Sequence, residues 1–354
     1  MSKQKIIAAP SPILDLKEQN AIDTLTERYN RMIEPKRSVY LAAKVSAIIP
    51  EKVKEAGGTM KTALTEEEIF AQALKVATEG FHIVEKNLSK FTISEKTIIK
   101  NVNKIMLDYE ITNLNEFCLV RSYDLAKQIN KNKMIDLTAA FAQGGGCGYF
   151  GIAGIPFNLV LSILLYYRAV QSIAMSYGYD IKGDSAELVI ASEVFSKAMN
   201  PTASGNSEIA DNLAKIMVIS KGEAIKHTLS SQGWAGMASS GSVELLLLQM
   251  RALAHGAAKK ALESSGKKGL EESLFVDLFK QIGQKLTQKN IQKAIPYVSA
   301  AIGALMDTSQ MNKVLEFADI FYQKRFLLEK AERVNILLEQ TSVLKDESIT
   351  IDIN

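Results

Sequence analysis

The feature that most constrains the fold of this chain is an uncharged stretch, because no charged side chain occurs from Gly144 to Tyr167. A helix of that length would rise about 36 Å, which is long enough to cross a bilayer. Pro156 argues against one continuous span, because proline removes an amide donor and kinks or ends a helix. Three interpretations follow: a membrane insertion, a phosphate-binding loop or a tightly packed core helix.

The first part of this stretch is dense in glycine, which recurs at every third residue from Gly145 to Gly154. Each glycine costs about 1 kcal/mol relative to alanine in an exposed helix, so an isolated helix of this composition would melt. Glycine is tolerable where another backbone lies directly against it, as in membrane helix pairs and tight soluble cores. The predicted helix-packing or membrane surface consists of Gly145, Gly148, Gly151, Gly154, Pro156 and Asn158.

A literal GxGxxG pattern runs from Gly146 to Gly151. The dinucleotide fingerprint requires a strand before the glycines and an acidic residue about 20 positions later. Here the preceding segment has a helical pattern, and no acidic residue stands at that distance. We therefore expect no nucleotide cofactor.

The composition is that of a soluble globular protein, with 47% hydrophobic and 23% charged residues. A net charge of +3 is too small to capture nucleic acid, so no nucleic-acid partner is expected. The two cysteines lack CxxC spacing, which fits a reducing compartment, and the N-terminal apolar run is too short for a signal peptide. These features predict a cytoplasmic protein.

Helical patterns recur along the whole chain, whereas strand patterns are hard to find. Thr65 and Glu68 have capping-box spacing, and the apolar residues from Phe70 to Val84 recur every three or four positions on one face. Further helix starts are predicted at Thr92, Asn113 and Asp184, and a last helix is predicted from about Met311 to Leu338.

We predict an all-α fold, a compact multi-helix domain built around Gly/Ala-rich apolar central helices. Besides the glycine stretch, Gly233 to Gly256 and Ala294 to Met306 have this small-residue character. The predicted single helical domain spans residues 15–340, between a flexible N-terminal segment at residues 1–14 and a C-terminal tail at residues 341–354. An N-terminal helical lobe at residues 15–110 is an alternative division.

The run YYRAVQSIAMSYGYD, from Tyr166 to Asp180, resembles the central signature of the EcsC family. Ile49 to Ala56 and Lys293 to Leu327 agree with it, so the likeness extends over most of the chain. The family takes its name from a gene beside a bacterial ABC-transport system, and the resemblance itself implies no activity. Asn158 stands where the family commonly has an acidic residue.

The candidate polar site consists of Arg168, Tyr177, Tyr179 and Asp180, which all lie in this signature. Asp180 is too far along the sequence from Arg168 for the two side chains to pair along one helix. They come within reach of each other if the chain turns at YGYD, which is Tyr177 to Asp180. One interpretation is a structural tether. The other is that these side chains line a polar pocket at the mouth of the glycine-rich centre.

Recognisable catalytic and metal motifs are missing from the sequence. The three histidines, His82, His227 and His255, have no metal-ligand spacing, and no GxSxG serine follows a strand pattern. We therefore expect no metal, no cofactor and a non-enzymatic role. An uncharacterised hydrolase is kept as an alternative.

The predicted function is that of a membrane-associated accessory protein, peripheral to the inner membrane, whose partner is the membrane surface or a membrane protein. The alternative is a soluble helical protein that encloses a lipid or other apolar ligand, with Arg168 or Lys259 near the head group. The basic patch of Lys259, Lys260, Lys267 and Lys268 is either a contact for anionic lipid or a solvated helix end. The oligomeric state is left open.

Overall fold

The computed structural model describes residues 9–34, 66–88, 94–106, 110–129, 155–202, 207–223, 243–265, 269–294 and 308–350. Every regular element within these ranges is helical, and none of them is a strand. The predicted all-α class is therefore confirmed. The glycines from Gly145 to Gly154 lie outside the described residues, so the predicted Gly/Ala-rich centre stays a prediction.

In chain order, the helices are α1 (Leu16–Ile33), α2 (Glu66–Glu79), α3 (Phe81–Leu88), α4 (Glu95–Asn103), the 3₁₀ helix η1 (Leu114–Leu119), α5 (Ile155–Ser176), α6 (Ser185–Met199), α7 (Glu208–Val218), α8 (Val243–Ser265), α9 (Leu270–Ala294) and α10 (Thr308–Thr350). Residues 122–129 are also helical.

Side-chain caps explain where several of these helices begin. A capping box starts α1, because the Asp15 carboxylate accepts the Glu18 amide at 2.8 Å and the Glu18 carboxylate accepts the Asp15 amide at 3.4 Å. Asp184 caps α6 as predicted, by accepting the Ala186 amide at 2.9 Å.

Two of the other predicted starts differ in the structure. Ser94, and not Thr92, caps α4, because the Ser94 hydroxyl accepts the Thr97 amide. Asn113 does cap a helix, accepting the Glu116 amide at 3.3 Å, but this helix is the short 3₁₀ element η1.

The apolar stripe predicted on one helix from Thr65 is divided between two helices. Gly80 separates α2 from α3, and its amide still donates to the Val76 carbonyl at 2.9 Å. Ala77 and Phe81 are both buried, so the stripe continues across the break. Glycine is the residue best able to absorb this change of direction, which places the Phe81 ring 5.4 Å from Phe275 of α9.

The last helix is longer than its sequence pattern predicted. It runs over Thr308–Thr350 and so includes residues 341–350, which were predicted to form a tail. No glycine or proline occurs from residue 308 to 350, so no local signal ends the helix earlier. At the other terminus, the Ile13 carbonyl accepts a hydrogen bond from Arg121 at 3.2 Å, within the segment predicted to be flexible.

Helix α5 begins at Ile155, so Pro156 lies in the first turn, where an amide donor has no intrahelical partner to lose. Within the described residues, its window Leu159–Ser176 is the one helical segment long and apolar enough to cross a membrane. However, 71% of that window is buried inside the protein. In this structure α5 is a core helix.

Helix α6 lies at the centre of the described core. It packs against α5, α7, α8, α9 and α10. Most of its side chains are buried, including the charged Glu187 and Lys197. A helix surrounded on all sides must be mainly apolar around its circumference, which its LVIA run supplies.

Two antiparallel helix pairs flank this centre. Along α1 and α10, contacts run in opposite directions, because Glu18 binds Lys330 whereas Tyr29 packs on Phe317. Along α5 and α9, Gln171 binds Glu271 at 2.9 Å, and Tyr167 lies 6.2 Å from Phe275 between ring centroids. The N-terminus of α5 and the C-terminus of α9 therefore lie at the same end of their pair.

Candidate functional site

A run of buried charged side chains on α10 is the most unusual feature of the described core. Charged residues are almost never fully buried unless they are paired. Five of them on this helix are less than a tenth exposed: Asp319, Lys324, Arg325, Glu329 and Lys330. We call the charged residues of α10 that contact the YGYD turn the α10 cluster. It contains Asp319, Arg325 and Glu329 from this run, together with the partly buried Arg333.

The centre of the α10 cluster is Arg325, which is fully buried. Its guanidinium donates two hydrogen bonds to the Glu187 carboxylate, at 2.6 and 2.7 Å, and a third from Nε to Glu329 at 2.9 Å. It also lies 4.1 Å from the centre of the Tyr179 ring. This bidentate geometry joins α6 to α10 and fixes their relative rotation.

Both predicted tyrosines reach this cluster. The Tyr177 hydroxyl donates to Asp319 at 2.9 Å, and the Tyr179 hydroxyl donates to Glu329 at 2.9 Å. Burial, together with the neighbouring carboxylates, raises the pKa of each tyrosine well above its usual value. Both hydroxyls therefore remain protonated donors, and they tie the end of α5 to α10.

Between them, Gly178 has a positive φ of 79°. A Cβ there would lie 2.6 Å from the Leu114 carbonyl oxygen and 2.8 Å from the Arg333 guanidinium. Arg333 donates to the Tyr177 carbonyl at 3.2 Å and to the Gly178 carbonyl at 2.9 Å. The YGYD turn thus requires glycine for conformation and for space.

Asp180 shapes the following turn. One carboxylate oxygen accepts the backbone amides of Lys182 at 3.0 Å and Gly183 at 2.8 Å, which is an Asx-type turn. The turn orients the chain toward the start of α6 at Ser185. Asp180 is therefore held by its own loop.

Arg168 lies in a different cluster. It donates to Glu85 of α3 at 2.6 Å and to Gln171 at 3.0 Å, and it forms an ion pair with Glu271 of α9 at 2.5 Å. The structure brings Tyr177 and Tyr179 together and separates both from Arg168. These contacts of Arg168 connect α3, α5 and α9.

An exposed histidine borders the Arg168 cluster. His82 lies 3.6 Å from Glu85 and 3.3 Å from Glu272. In the part of the chain that the structure describes, no group of three or more His, Cys, Asp or Glu side chains is arranged to hold a metal ion.

A third ionic contact joins α1 to α10. The buried Glu18 carboxylate accepts hydrogen bonds from Lys330 at 2.6 Å, from Arg121 at 2.9 Å and from the Ser122 amide at 2.8 Å. Burial lowers the pKa of Lys330, and Glu18 opposes that effect. The residue that completes the α1 capping box therefore also binds two distant cations.

The electrostatics of the α10 cluster favour a structural role. Burial opposes ionisation of Glu187, but the Arg325 guanidinium outweighs it and lowers the pKa of this carboxyl. The Glu187 carboxylate is thus held as an anion by its partner, and it is poorly suited to accept a proton near neutral pH. The predicted pocket beside the glycines stays a prediction, because those glycines lie outside the described residues.

Sequence reasoning found the tyrosines but missed the buried charges of α10. The apolar stripe of this helix includes Phe321 and Leu328, and the position between them on the same face is Lys324. A charge within an apolar stripe is the signal that could have identified a buried charged side chain on this helix. The partner Glu187 gave only a helix-start signal next to Asp184.

Comparison with known proteins gives one result. The sequence model of the EcsC protein family matches residues 16–327. This range contains the YGYD turn, Glu187 and Arg325. Neither a curated protein nor a solved structure gives a match.

Proposed function

The chain belongs to the EcsC protein family, and we propose that it is a non-enzymatic helical accessory protein that associates peripherally with the inner face of a membrane. In this proposal it contacts the lipid surface or a membrane protein beside a transport system. The observation that carries the proposal is the position of α5. This apolar helix is enclosed by protein, and the uncharged sequence extends before its N-terminus, over residues 144–154.

The enclosure of α5 supports peripheral rather than spanning association. A spanning helix needs about 20 residues that face lipid or other spanning helices. The side chains of Val160, Leu164 and Tyr167 are instead fully buried among the helices of the described core. Placing α5 in lipid would expose the charged partners of that core to hydrocarbon, at a cost of several kcal/mol.

Two uncharged segments adjoin the same end of the α5–α9 pair. Residues 144–154 lead into α5, residues 295–306 follow α9, and neither segment contains a charged side chain. An apolar run of about 10–14 residues is too short to span a bilayer and is found both in buried core helices and in interfacial or re-entrant segments. Both segments are thus candidates for membrane contact.

The alternative of an enclosed lipid has less support. It assigned Arg168 to the lipid head group, but two carboxylates, Glu85 and Glu271, already bind this guanidinium. Lys259 and Lys260 are exposed on α8, where they face outward. An exposed pair of lysines suits an external anionic surface better than an internal ligand.

Vesicle flotation of the full-length protein tests the proposal. We expect the wild type to float with phospholipid vesicles, and to float more strongly when the vesicles contain anionic lipid. Ile152→Glu and Ile302→Glu each place a charge in one uncharged segment and should lower the bound fraction about tenfold. Ile336→Glu, at a half-exposed position on α10, is the matched control and should bind as the wild type does.

Circular dichroism and melting temperature establish that each variant is folded. The proposal fails if the wild type stays soluble in cell fractionation, does not float with either vesicle, and captures no protein from native membranes. If all three glutamate variants still bind the vesicles, the membrane contact lies outside the two segments. Release of a bound lipid in native mass spectrometry, without flotation, would favour the ligand alternative.

A further inference from the structure

Lys324 differs from the other buried charges of α10 because its hydrogen-bond partners are neutral. Its side chain is fully buried. The amine donates to the Thr26 hydroxyl of α1 and to the Met217 carbonyl of α7, the latter at 2.7 Å. It therefore joins three helices at one point, where no carboxylate among the described residues is in hydrogen-bond contact with it.

The Met217 carbonyl is one of the last of α7, and such carbonyls have no intrahelical partner. The Thr26 hydroxyl has one proton, which it can donate either to the Ile219 carbonyl at 2.8 Å or to the Ile22 carbonyl of its own helix at 2.9 Å. Lys324 therefore supplies a donor to the C-terminal end of α7, and Thr26 lies within reach of the residue that follows this helix. We call residues 217–223, which begin at the Met217 carbonyl bound by Lys324, the α7 strap.

The α7 strap is also bound to α1 from its outer side. The Lys221 amide donates to Asp23 at 2.7 Å, and the Lys221 ammonium donates to Asn20 at 2.9 Å. Glu223 accepts the Ser220 amide at 3.2 Å. The strap is therefore anchored to α1 at Asn20, at Asp23 and at the Thr26 side chain that binds Lys324.

The number of donors on Lys324 depends on its charge. A neutral amine has two N–H groups, which match its two acceptors, Thr26 and Met217. A charged ammonium has a third N–H group and a full charge, and both require water or a new acceptor. We propose that Lys324 is a proton-controlled latch, which holds the α7 strap against α1 when neutral and loosens it when charged.

The groups that face Lys324 have opposing effects. Burial lowers its pKa to about 7, while Asp23 on α1 and Glu223 in the strap favour the charged form. Among the described residues, the C-terminal carbonyls of α7 form the negative end of its helix dipole and also favour the charged form, and its last-turn Lys215 is exposed. Lys221 is held by Asn20. With this balance we expect Lys324 to change its charge near neutral pH.

The sign of the effect follows from proton linkage. An opened strap exposes Lys324 to water, where its pKa is about 10.4. Above the pKa of the closed form, opening takes up a proton, so opening becomes about tenfold rarer with each unit of rising pH. Below that pKa both forms are charged, and opening no longer depends on this group. Acidification thus releases the strap, and alkalinity locks it.

Hydrogen exchange of the full-length protein tests the latch. Protection of the amides from Met217 to Glu223, corrected for intrinsic exchange, is measured from about pH 6 to about pH 9. We expect a constant value below about pH 7 and a rise of up to tenfold per pH unit above it. Lys324→Met should give protection that does not change with pH.

A second variant separates charge from packing. Lys324→Arg keeps a permanent charge, so its strap should remain as poorly protected at high pH as the wild type is at low pH. Lys221→Met removes an exposed ammonium from the same strap and is the matched control. It should retain the pH dependence of the wild type.

Direct titration of the Lys324 side chain by NMR tests the latch in the wild-type protein, and so does not require that any variant folds. A midpoint near neutral pH that coincides with the change in strap protection supports the latch. A midpoint near that of a free lysine overturns it, as does wild-type protection that is independent of pH. These measurements do not involve a membrane, so their failure leaves the proposed membrane association unaffected.

Discussion

Arg325 of α10 and Glu187 of α6 form a bidentate ion pair, with N–O distances of 2.6 and 2.7 Å, in which the arginine is fully buried and the glutamate nearly so. The two residues are far apart in sequence, and their elements are both central to the described core. The pair therefore determines how α10 packs against α6. Because both charges lose their hydration on burial, such a pair adds little net stability relative to apolar residues of the same size, and we expect its main effect to be on the arrangement of the two helices.

Removing one partner of this pair should be strongly destabilising. Arg325→Met leaves Glu187 and Glu329 buried without their cation, and we expect the free energy of unfolding to fall by about 3–5 kcal/mol. Urea unfolding followed by circular dichroism measures this. The double variant Glu187→Leu/Arg325→Met should recover part of the loss. A loss below about 1 kcal/mol for Arg325→Met would contradict the assigned role.

Gly178→Ala should destabilise the YGYD turn. Its positive φ and the close Leu114 carbonyl together predict a loss of about 2–4 kcal/mol in unfolding free energy. Gly256 is the matched control, because it lies within the helix α8 with no atom within 4 Å of an added Cβ. Gly256→Ala should stabilise by about 0.5–1 kcal/mol. Equal melting temperatures for the two variants would refute this assignment.

Alkaline pH should unfold the protein through its buried tyrosines. Burial raises the pKa of Tyr167, Tyr177, Tyr179 and Tyr322 above that of free tyrosine. A folded-state pKa above the unfolded one means that stability is complete below about pH 10 and falls as pH rises further. Absorbance of tyrosinate should therefore appear together with loss of helical signal. Ionisation of all tyrosines before any unfolding would disprove their burial.

A double-mutant comparison tests the separation of Arg168 from the tyrosines. Arg168→Met and Tyr177→Phe share no partner, so their effects on unfolding free energy should add to within about 0.5 kcal/mol. Arg325→Met and Tyr179→Phe share Glu329, and their coupling should exceed about 0.5 kcal/mol. Strong coupling in the first pair would mean that Arg168 does belong to the tyrosine cluster.

Local sequence signals predicted the helices well where the cause was local. Asp184 caps α6 as expected, because a cap depends only on its own residue and the next few amides. The division at Gly80 and the extension of α10 to Thr350 were not predicted. A helix end depends on tertiary contacts as well as on local propensity. Local propensity alone therefore did not predict the break at Gly80 or the length of α10.

The candidate polar site was predicted only in part. The YGYD run indicated a turn with polar side chains. In the structure this turn places the hydroxyls of Tyr177 and Tyr179 in contact with carboxylates of α10. The sequence could not tell that Arg168 faces α3 and α9, because residues on one helix point in different directions. It also gave no sign that Glu187 and Arg325 are partners.

The amino-acid sequence by itself determined the all-α class of this protein and several helix starts, because periodicity and capping act over a few neighbouring residues. The tertiary structure alone decided which charges are buried and which partner each one has. Long-range pairs such as Glu18 with Lys330 depend on how helices pack, and only packing removes the water that would otherwise screen every charge equally.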